Sequence, residues 1–352
     1  MTVFTTDERV YNVVLDGAIR RRALIIARVV DAVVTSAGAP VPPRNPLSAH
    51  VDRRGATVRI GSGGTLAVSG RTEQLLPDPS STTPITFTIS IRAHGYRTHV
   101  EAVIIAPTAT LPIDLGTIAL QPLPVRLEGR VTHERDRTAI AGASIVARKS
   151  DKIVLLRTPL QRDYLRGTTV TPRTLTPSGT PTTLAAPAAR GSGMVTLDDA
   201  SSFAPGNVVR FAAREYGVIA TIAVNDVTLI DPLQHSHAAG TSVSHITASA
   251  GTAMTTRRDV IAGDALLPVD TATDATAIEI GGEYHDTGLL SDSDGYFAVD
   301  GIGGERAITL ITIASDPALS DVETTVIVDY SKPENSVSMR VKKIPPPPLQ
   351  SM

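Results

Sequence analysis

The sequence predicts an all-β protein built as two β-sandwiches, with a small β-barrel-like module inserted into the second. Three observations carry that expectation. Short apolar runs alternate with period two between turn residues, as in Ile85-Thr86-Phe87-Thr88-Ile89-Ser90-Ile91. The 27 Gly and 25 Pro are spread along the chain, as many turns between short strands require. Finally, the chain repeats itself: its two ends read as one β-rich unit, and a different repeat lies between them.

Residues 1–22 form an N-terminal arm with two readings. Asp7 to Arg22 fits a helix with Thr6 as N-cap, yet Val10, Val13 and Val14 are equally at home in a strand. The triplet Arg20-Arg21-Arg22 reads as a solvated strand entrance or as part of an arm that docks on an acidic neighbour. The first sandwich is expected over 23–123. It opens with a strand from Leu24 to Val34 and a turn at Ser36-Ala37-Gly38-Ala39-Pro40, and it closes with Leu115 to Leu120. Gln121-Pro122-Leu123-Pro124 reads as a short stiff linker.

The second sandwich is expected over 124–150 plus 286–343. Ile60 to Val68 matches the Asp-Gly hairpin at 292–299, Thr86 to Ile91 matches Ile308 to Ile313, and His99 to Ile105 matches Glu323 to Val328. The interruption, 151–285, carries the middle repeat. Pro159-Leu160-Gln161 and Gly167-Thr168-Thr169-Val170 recur as Pro232-Leu233-Gln234 and Gly240-Thr241-Ser242-Val243. More loosely, Glu215-Tyr216 recurs as Glu283-Tyr284. Thr171 to Gly193, rich in Thr, Pro, Ala and Ser, reads as an exposed loop. Residues 344–352 form a Pro-rich tail, draped on a partner or disordered.

Composition bounds the chemistry. With 352 residues, 42% of them hydrophobic and 19% charged, the chain has room for two or three folded domains. Aromatics are only 3% and Trp is absent, so the cores must be built from Val, Ile, Leu and Ala. A formal charge of −2 argues against a nucleic-acid partner, which calls for a basic surplus. With no Cys, a thiol nucleophile, a disulfide and a Cys-ligated zinc are excluded. The N-terminus lacks the pattern of a signal peptide, and no run is apolar and long enough for a membrane span. Synthesis in the cytoplasm is expected.

Candidate sites are few. His235-Ser236-His237, with Asp231 and His245 in reach, is the best metal candidate, because alternate residues on a strand face the same way. The parallel copy has Arg162-Asp163-Tyr164 at these positions, which reads as a variable loop. Asp292-Ser293-Asp294-Gly295 opens like a calcium loop, with Asp292 and Asp294 as ligands, but the chain then enters a strand, which favours a turn. His94, His99 and His133 have no nucleophile elbow to serve. No cofactor and no catalytic residue is expected.

Leu127-Glu128-Gly129-Arg130-Val131, Ile140-Ala141-Gly142-Ala143-Ser144-Ile145-Val146 and Asp292 to Phe297 resemble the carboxypeptidase regulatory-like domain. That resemblance implies a transthyretin- or Ig-like sandwich and brings no catalytic residues. Val195 to Gly206 and the Pro-Leu-Gln to Gly-Thr-Ser-Val stretch are similar to small β-modules of tailed phages and contractile injection systems. The resemblance implies a non-enzymatic component of a baseplate, spike or fibre attachment, incorporated into the particle. Its partners would be other structural subunits, met through the arm, edge strands and inserted loops, and the chain would be oligomeric in assembly. An adhesin-like carbohydrate-binding protein, with Tyr164, Tyr216 and Tyr284 as platforms, and a metal-dependent hydrolase using His235 and His237 are the alternatives.

Overall fold

The computed structural model describes residues 2–6, 9–15, 18–35, 41–70, 82–212 and 215–343, with side chains from residue 23 onward except 34 and 35. It is an all-β protein, and two compact units divide it: residues 1–123 and residues 124–352. No helix among the described residues is long and apolar enough to cross a membrane.

The first unit is a sandwich of two sheets. The long strand Ala18–Asp31 lies at the centre of one, paired antiparallel with Thr65–Gly70 and parallel with Ile113–Leu120. The other sheet runs Leu47–Val51, Ile85–Ala93, His99–Ile105, all antiparallel. Period-two alternation puts Phe87, Ile89 and Ile91 inside, where they meet Leu24, Leu66, Val68, Val103 and Ile105 in a dry aliphatic core. The N-terminal arm takes the strand reading: Thr2–Thr6 pairs with Arg9–Leu15, which pairs with the start of Ala18–Asp31. The Val-rich, β-branched run decides in favour of pairing. The opening strand stops at Asp31, three residues before the expected end, because Ala32–Thr35 forms a helical turn. Asp31 caps that turn by accepting from the Val33 amide at 2.9 Å. The Arg20-Arg21-Arg22 side chains and the turn at 36–40 lie outside the described residues.

The second unit begins with a sandwich of the same layout. Val125–His133 pairs antiparallel with Tyr296–Ile302 and parallel with Glu334–Val341. Facing it, Ser144–Ala147, Ala307–Ile313 and Val322–Ile327 pair in that order. The Asp-Gly turn that joins Leu289–Leu290 to Tyr296–Ile302 requires its glycine. Gly295 has φ +70°, and a Cβ there would sit 2.4 Å from the Val131 carbonyl oxygen. The Pro-rich tail, 344–352, lies outside the described residues.

Between these strands the chain folds into two copies of one module. In the first copy Val154 pairs with Leu267, Leu156 with Thr287, Tyr164 with Val260 and Thr256 with Val269. In the second the equivalent pairs are Val227 with Val195, Leu229 with Ile219, His237 with Ala188 and Leu184 with Leu197. The chain crosses from the first copy to the second along Thr169–Thr183 and returns along Ser242–Ala250. These crossing strands pair with each other antiparallel, Leu175 opposite Ala248. Val170 and Val243 are equivalent, and so are Leu175 and Ala248, so a local two-fold passes through that pair. The second copy has its own core around Phe211, Leu197 and Leu229, whereas the first shares one core with the sandwich.

The loop expected over Thr171 to Gly193 is therefore corrected in its first half. Thr169–Thr183 is one strand, held by Ser242–Ala250 and by Ala277–Ile280. Beyond the buried Val170 its residues are half-buried or exposed, so it needs no apolar periodicity and carries the composition of a loop.

Candidate functional site

The polar chemistry of the chain concentrates where the two modules meet. Each module buries one glutamate at the start of a strand: Glu215 on Glu215–Ala223 and Glu283 on Glu283–Asp286, both 4% exposed. Each carboxylate receives the Pro-Leu-Gln loop of its own module. Glu283 Oε2 accepts from the Gln161 amide at 2.9 Å, and Glu215 Oε2 accepts from the Gln234 amide at 2.7 Å. The third residue onward from each glutamine completes the anchor. The Tyr164 hydroxyl donates to Glu283 Oε1 at 2.7 Å, and His237 Nε2 donates to Glu215 Oε1 at 2.7 Å.

Burial alone would raise both carboxyl pKa values. For Glu215 the His237 ring and the Gln234 and His235 amides, with the His235 ring close by, outweigh it and hold the group below the usual carboxylate range. For Glu283 the same is done by His285, the Gln161 amide and the Tyr164 hydroxyl. Burial beside Glu283 pushes the Tyr164 hydroxyl far up, so it stays a donor. His285 Nε2 lies 3.1 Å from Glu283, and its Nδ1 lies 3.0 Å from the Thr158 hydroxyl.

The seam between modules is ionic. Asp286 of the first module holds Arg157 at 3.0 Å, Arg210 at 3.1 Å and the Tyr216 hydroxyl at 2.7 Å, the last two from the second module. Arg162 reaches back to Asp231, with Nε at 3.1 Å. A cavity of about 20 Å³ remains between Gln161, Gln234, the two glutamates and His285, room for about one water.

The candidate ligand sets do not converge. His237 is buried against Glu215, and His235 Nδ1 is 3.7 Å from the same carboxylate. Asp231 is taken by Arg162, and His245 bonds Ser178 at 2.8 Å. Among the described residues no group of three or more His, Asp or Glu is arranged to hold a metal ion. The variable-loop expectation for 235–237 is corrected. His237 and Tyr164 are equivalent donors to equivalent buried acids, so the frame keeps its function while the residue type changes. Asp292 Oδ1 accepts from the Asp294 and Tyr296 amides, both at 2.9 Å, which ties its side chain into the hairpin turn. Tyr164 is buried, while Tyr216 is half-buried, with Arg210 over its ring at 5.3 Å from the centroid and its hydroxyl bonded to Asp286. His99 pairs with Glu101 at 3.1 Å.

Sequence reasoning paired Glu215 with Glu283 but gave them no role. Their signal was the repetition of an acid beside the equally repeated Pro-Leu-Gln.

An open sheet edge lies in the first unit. His99–Ile105 ends its sheet, and no further strand pairs with it among the described residues. Its outward column is Val100 at 59% exposure, Ala102, and Ile104 at 62%. The neighbouring strand adds Thr86, Thr88 and Ser90 to the same face through the pairs Thr86–Ile104, Thr88–Ala102 and Ser90–Val100. The corresponding strand of the second unit carries Glu323 in its outward column, opposite Ile311.

No family model matches the chain, and no curated protein matches it. Among solved structures it is similar to a minor pilin of Streptococcus agalactiae, at 10% identity and a TM-score of 0.25, over 95% of this chain and 100% of that one. It is also similar to the shaft pilin SpaA of Lactobacillus rhamnosus GG, at 8% identity and a TM-score of 0.23, over 94% and 99%. The major pilin subunit of Bacillus cereus follows at 9% identity and a TM-score of 0.21, over 92% and 100%. At scores this low, the functional reading rests on the chain's own residues.

Proposed function

We propose that the chain is a non-enzymatic structural subunit that joins other subunits of a particle by extending its β-sheets. The observation that carries this reading is the strand His99–Ile105. A sheet edge offers a row of backbone donors and acceptors to another strand, and soluble proteins commonly blunt such edges with Lys, Pro or a bulge. Here the outward residues are Val100, Ala102 and Ile104, uncharged and exposed. An incoming strand would gain backbone hydrogen bonds from the edge and apolar contact from that column.

The rest of the chain fits a rigid spacer. Buried acids are consumed in holding loops, and arginines in holding the seam. The particle is a phage tail or a phage tail-like contractile injection machine; the similarity of Val195 to Gly206 and the repeated Pro-Leu-Gln stretch to modules of such particles supports this. Placing Lys at Val100 and Ile104 tests the docking edge. The variant should fold and stay outside the particle, and normal incorporation would refute the reading.

A further inference from the structure

The internal duplication provides its own control, because each site in one module has a counterpart in the other. One pair of counterparts differs sharply. In the second module, residues 199–207 lead from Asp198 to the strand Val208–Phe211 and carry Phe203. Phe203 is 8% exposed, belongs to the module core and meets the His245 ring edge-on at a centroid distance of 6.4 Å. In the first module, residues 271–276 make the same connection from Asp270 to Ala277–Ile280, and this shorter loop reads Thr-Ala-Thr-Asp-Ala-Thr. No aromatic residue is present in it.

What remains in the first module is an open groove of about 530 Å³. Its walls are Pro172, which is the counterpart of His245, together with Thr174, Thr252, Ala253, Met254 and the short loop. The volume lies within the range of roughly 300–1,000 Å³ in which proteins hold discrete ligands. The lining suits one ring with a peptide around it. Pro172 and Ala253 supply apolar contact over the nearly buried Met254, Arg173 and Asp274 add charge at the wall, and the threonine hydroxyls can bond amides on either side.

We propose that this groove receives one aromatic side chain carried on a loop of a partner protein, in the place that Phe203 fills in the other module. The proposal rests on the reading of the chain as a subunit that docks to others, and it adds the chemistry of one contact. The chain's own Phe203 is not the occupant, because it is buried in its own module.

The test uses the full chain with Thr and Met methyl labels, titrated with acetyl-Ala-Ser-Ser-Phe-Ala-Pro-amide, the sequence of residues 200–205. The same peptide with Ala for Phe is the control. Saturable shifts at Thr174, Thr252, Thr273 and Met254, with the control about tenfold or more weaker, are the expected result. A Thr273→Phe variant, which brings its own ring to the groove, should lose the response. Absence of shifts at those methyls, or an equal response to both peptides, overturns the proposal. Neither outcome touches the docking edge, which particle incorporation of the Lys-bearing strand tests separately.

Discussion

Glu215 and Glu283 are one residue of a duplicated module: each is buried and accepts the amide of the glutamine in its own Pro-Leu-Gln loop, at 2.7 Å and 2.9 Å. A carboxylate suits this position because it offers two acceptor oxygens and no donor to the amides that point at it. Both groups titrate below their ordinary value of 4.5 in the folded chain. Their contribution to stability is therefore complete above about pH 4.5 and is lost as pH falls through the lower folded values. Glu215→Gln and Glu283→Gln should each cost about 1–3 kcal/mol at pH 7. Each should also flatten the acid limb of stability against pH, as read by urea unfolding from pH 7 to 3. An unchanged acid limb in the double variant would contradict the anchoring role.

A second prediction comes from how the two copies differ. Gly281 has φ +55°, and a Cβ there would lie 2.4 Å from the Tyr164 ring. Its counterpart is Ala212, at φ 52°, in the module where the smaller His237 replaces Tyr164. Gly281→Ala should cost about 1–3 kcal/mol by overpacking, and Tyr164→His should recover part of it. Conversely, His237→Tyr should need Ala212→Gly beside it. Additive costs in either double variant would refute the coupling.

The Asp-Gly turn gives a third. Gly295→Ala would meet the Val131 carbonyl at 2.4 Å with φ +70°, so a loss of about 2 kcal/mol or more is expected from strain and contact together. Asp292→Asn should be milder than Asp292→Ala, because Asn keeps an acceptor for the Asp294 and Tyr296 amides. Calcium should leave the melting temperature of the parent chain unchanged. A stabilisation that saturates with calcium would restore the ion-loop reading of Asp292 and Asp294.

The N-terminal strands give a fourth. Thr2–Thr6 and Arg9–Leu15 extend the sheet of Ala18–Asp31 beyond the strands that bury the core. Removing residues 1–22 should leave both units folded, by circular dichroism and unfolding midpoint, and should abolish incorporation into the particle. A truncated chain that assembles normally would remove the arm from the docking account.

The β-sandwich layout was legible because period two is strict where one face is buried. Ile85 to Ile91 alternates in sequence as Phe87, Ile89 and Ile91 alternate into the core. The middle duplication was legible from Pro-Leu-Gln with the Gly-Thr-x-Val stretch that follows it at a fixed distance. The crossing strand Thr169–Thr183 was hidden because beyond the buried Val170 it is half-buried or exposed on both faces, which erases the apolar pattern and leaves mostly Thr, Pro and Ser. The acid anchors were hidden for a different reason. A buried carboxylate is recognised by the amides around it, and those come from a loop 122 positions away in the chain for Glu283 and 19 or 20 positions away for Glu215.

The docking edge is the centre of the account, and the variant Val100→Lys with Ile104→Lys tests it most directly. Both positions are exposed, so the unfolding free energy should stay within about 0.5 kcal/mol of the parent. Tagged parent and variant chains are expressed in the native source, pulled down and imaged by negative-stain electron microscopy. Sheath-and-tube particles carrying the parent chain at one end, with the folded variant recovered free of particles, are the expected result. Variant chains incorporated as well as the parent would contradict it.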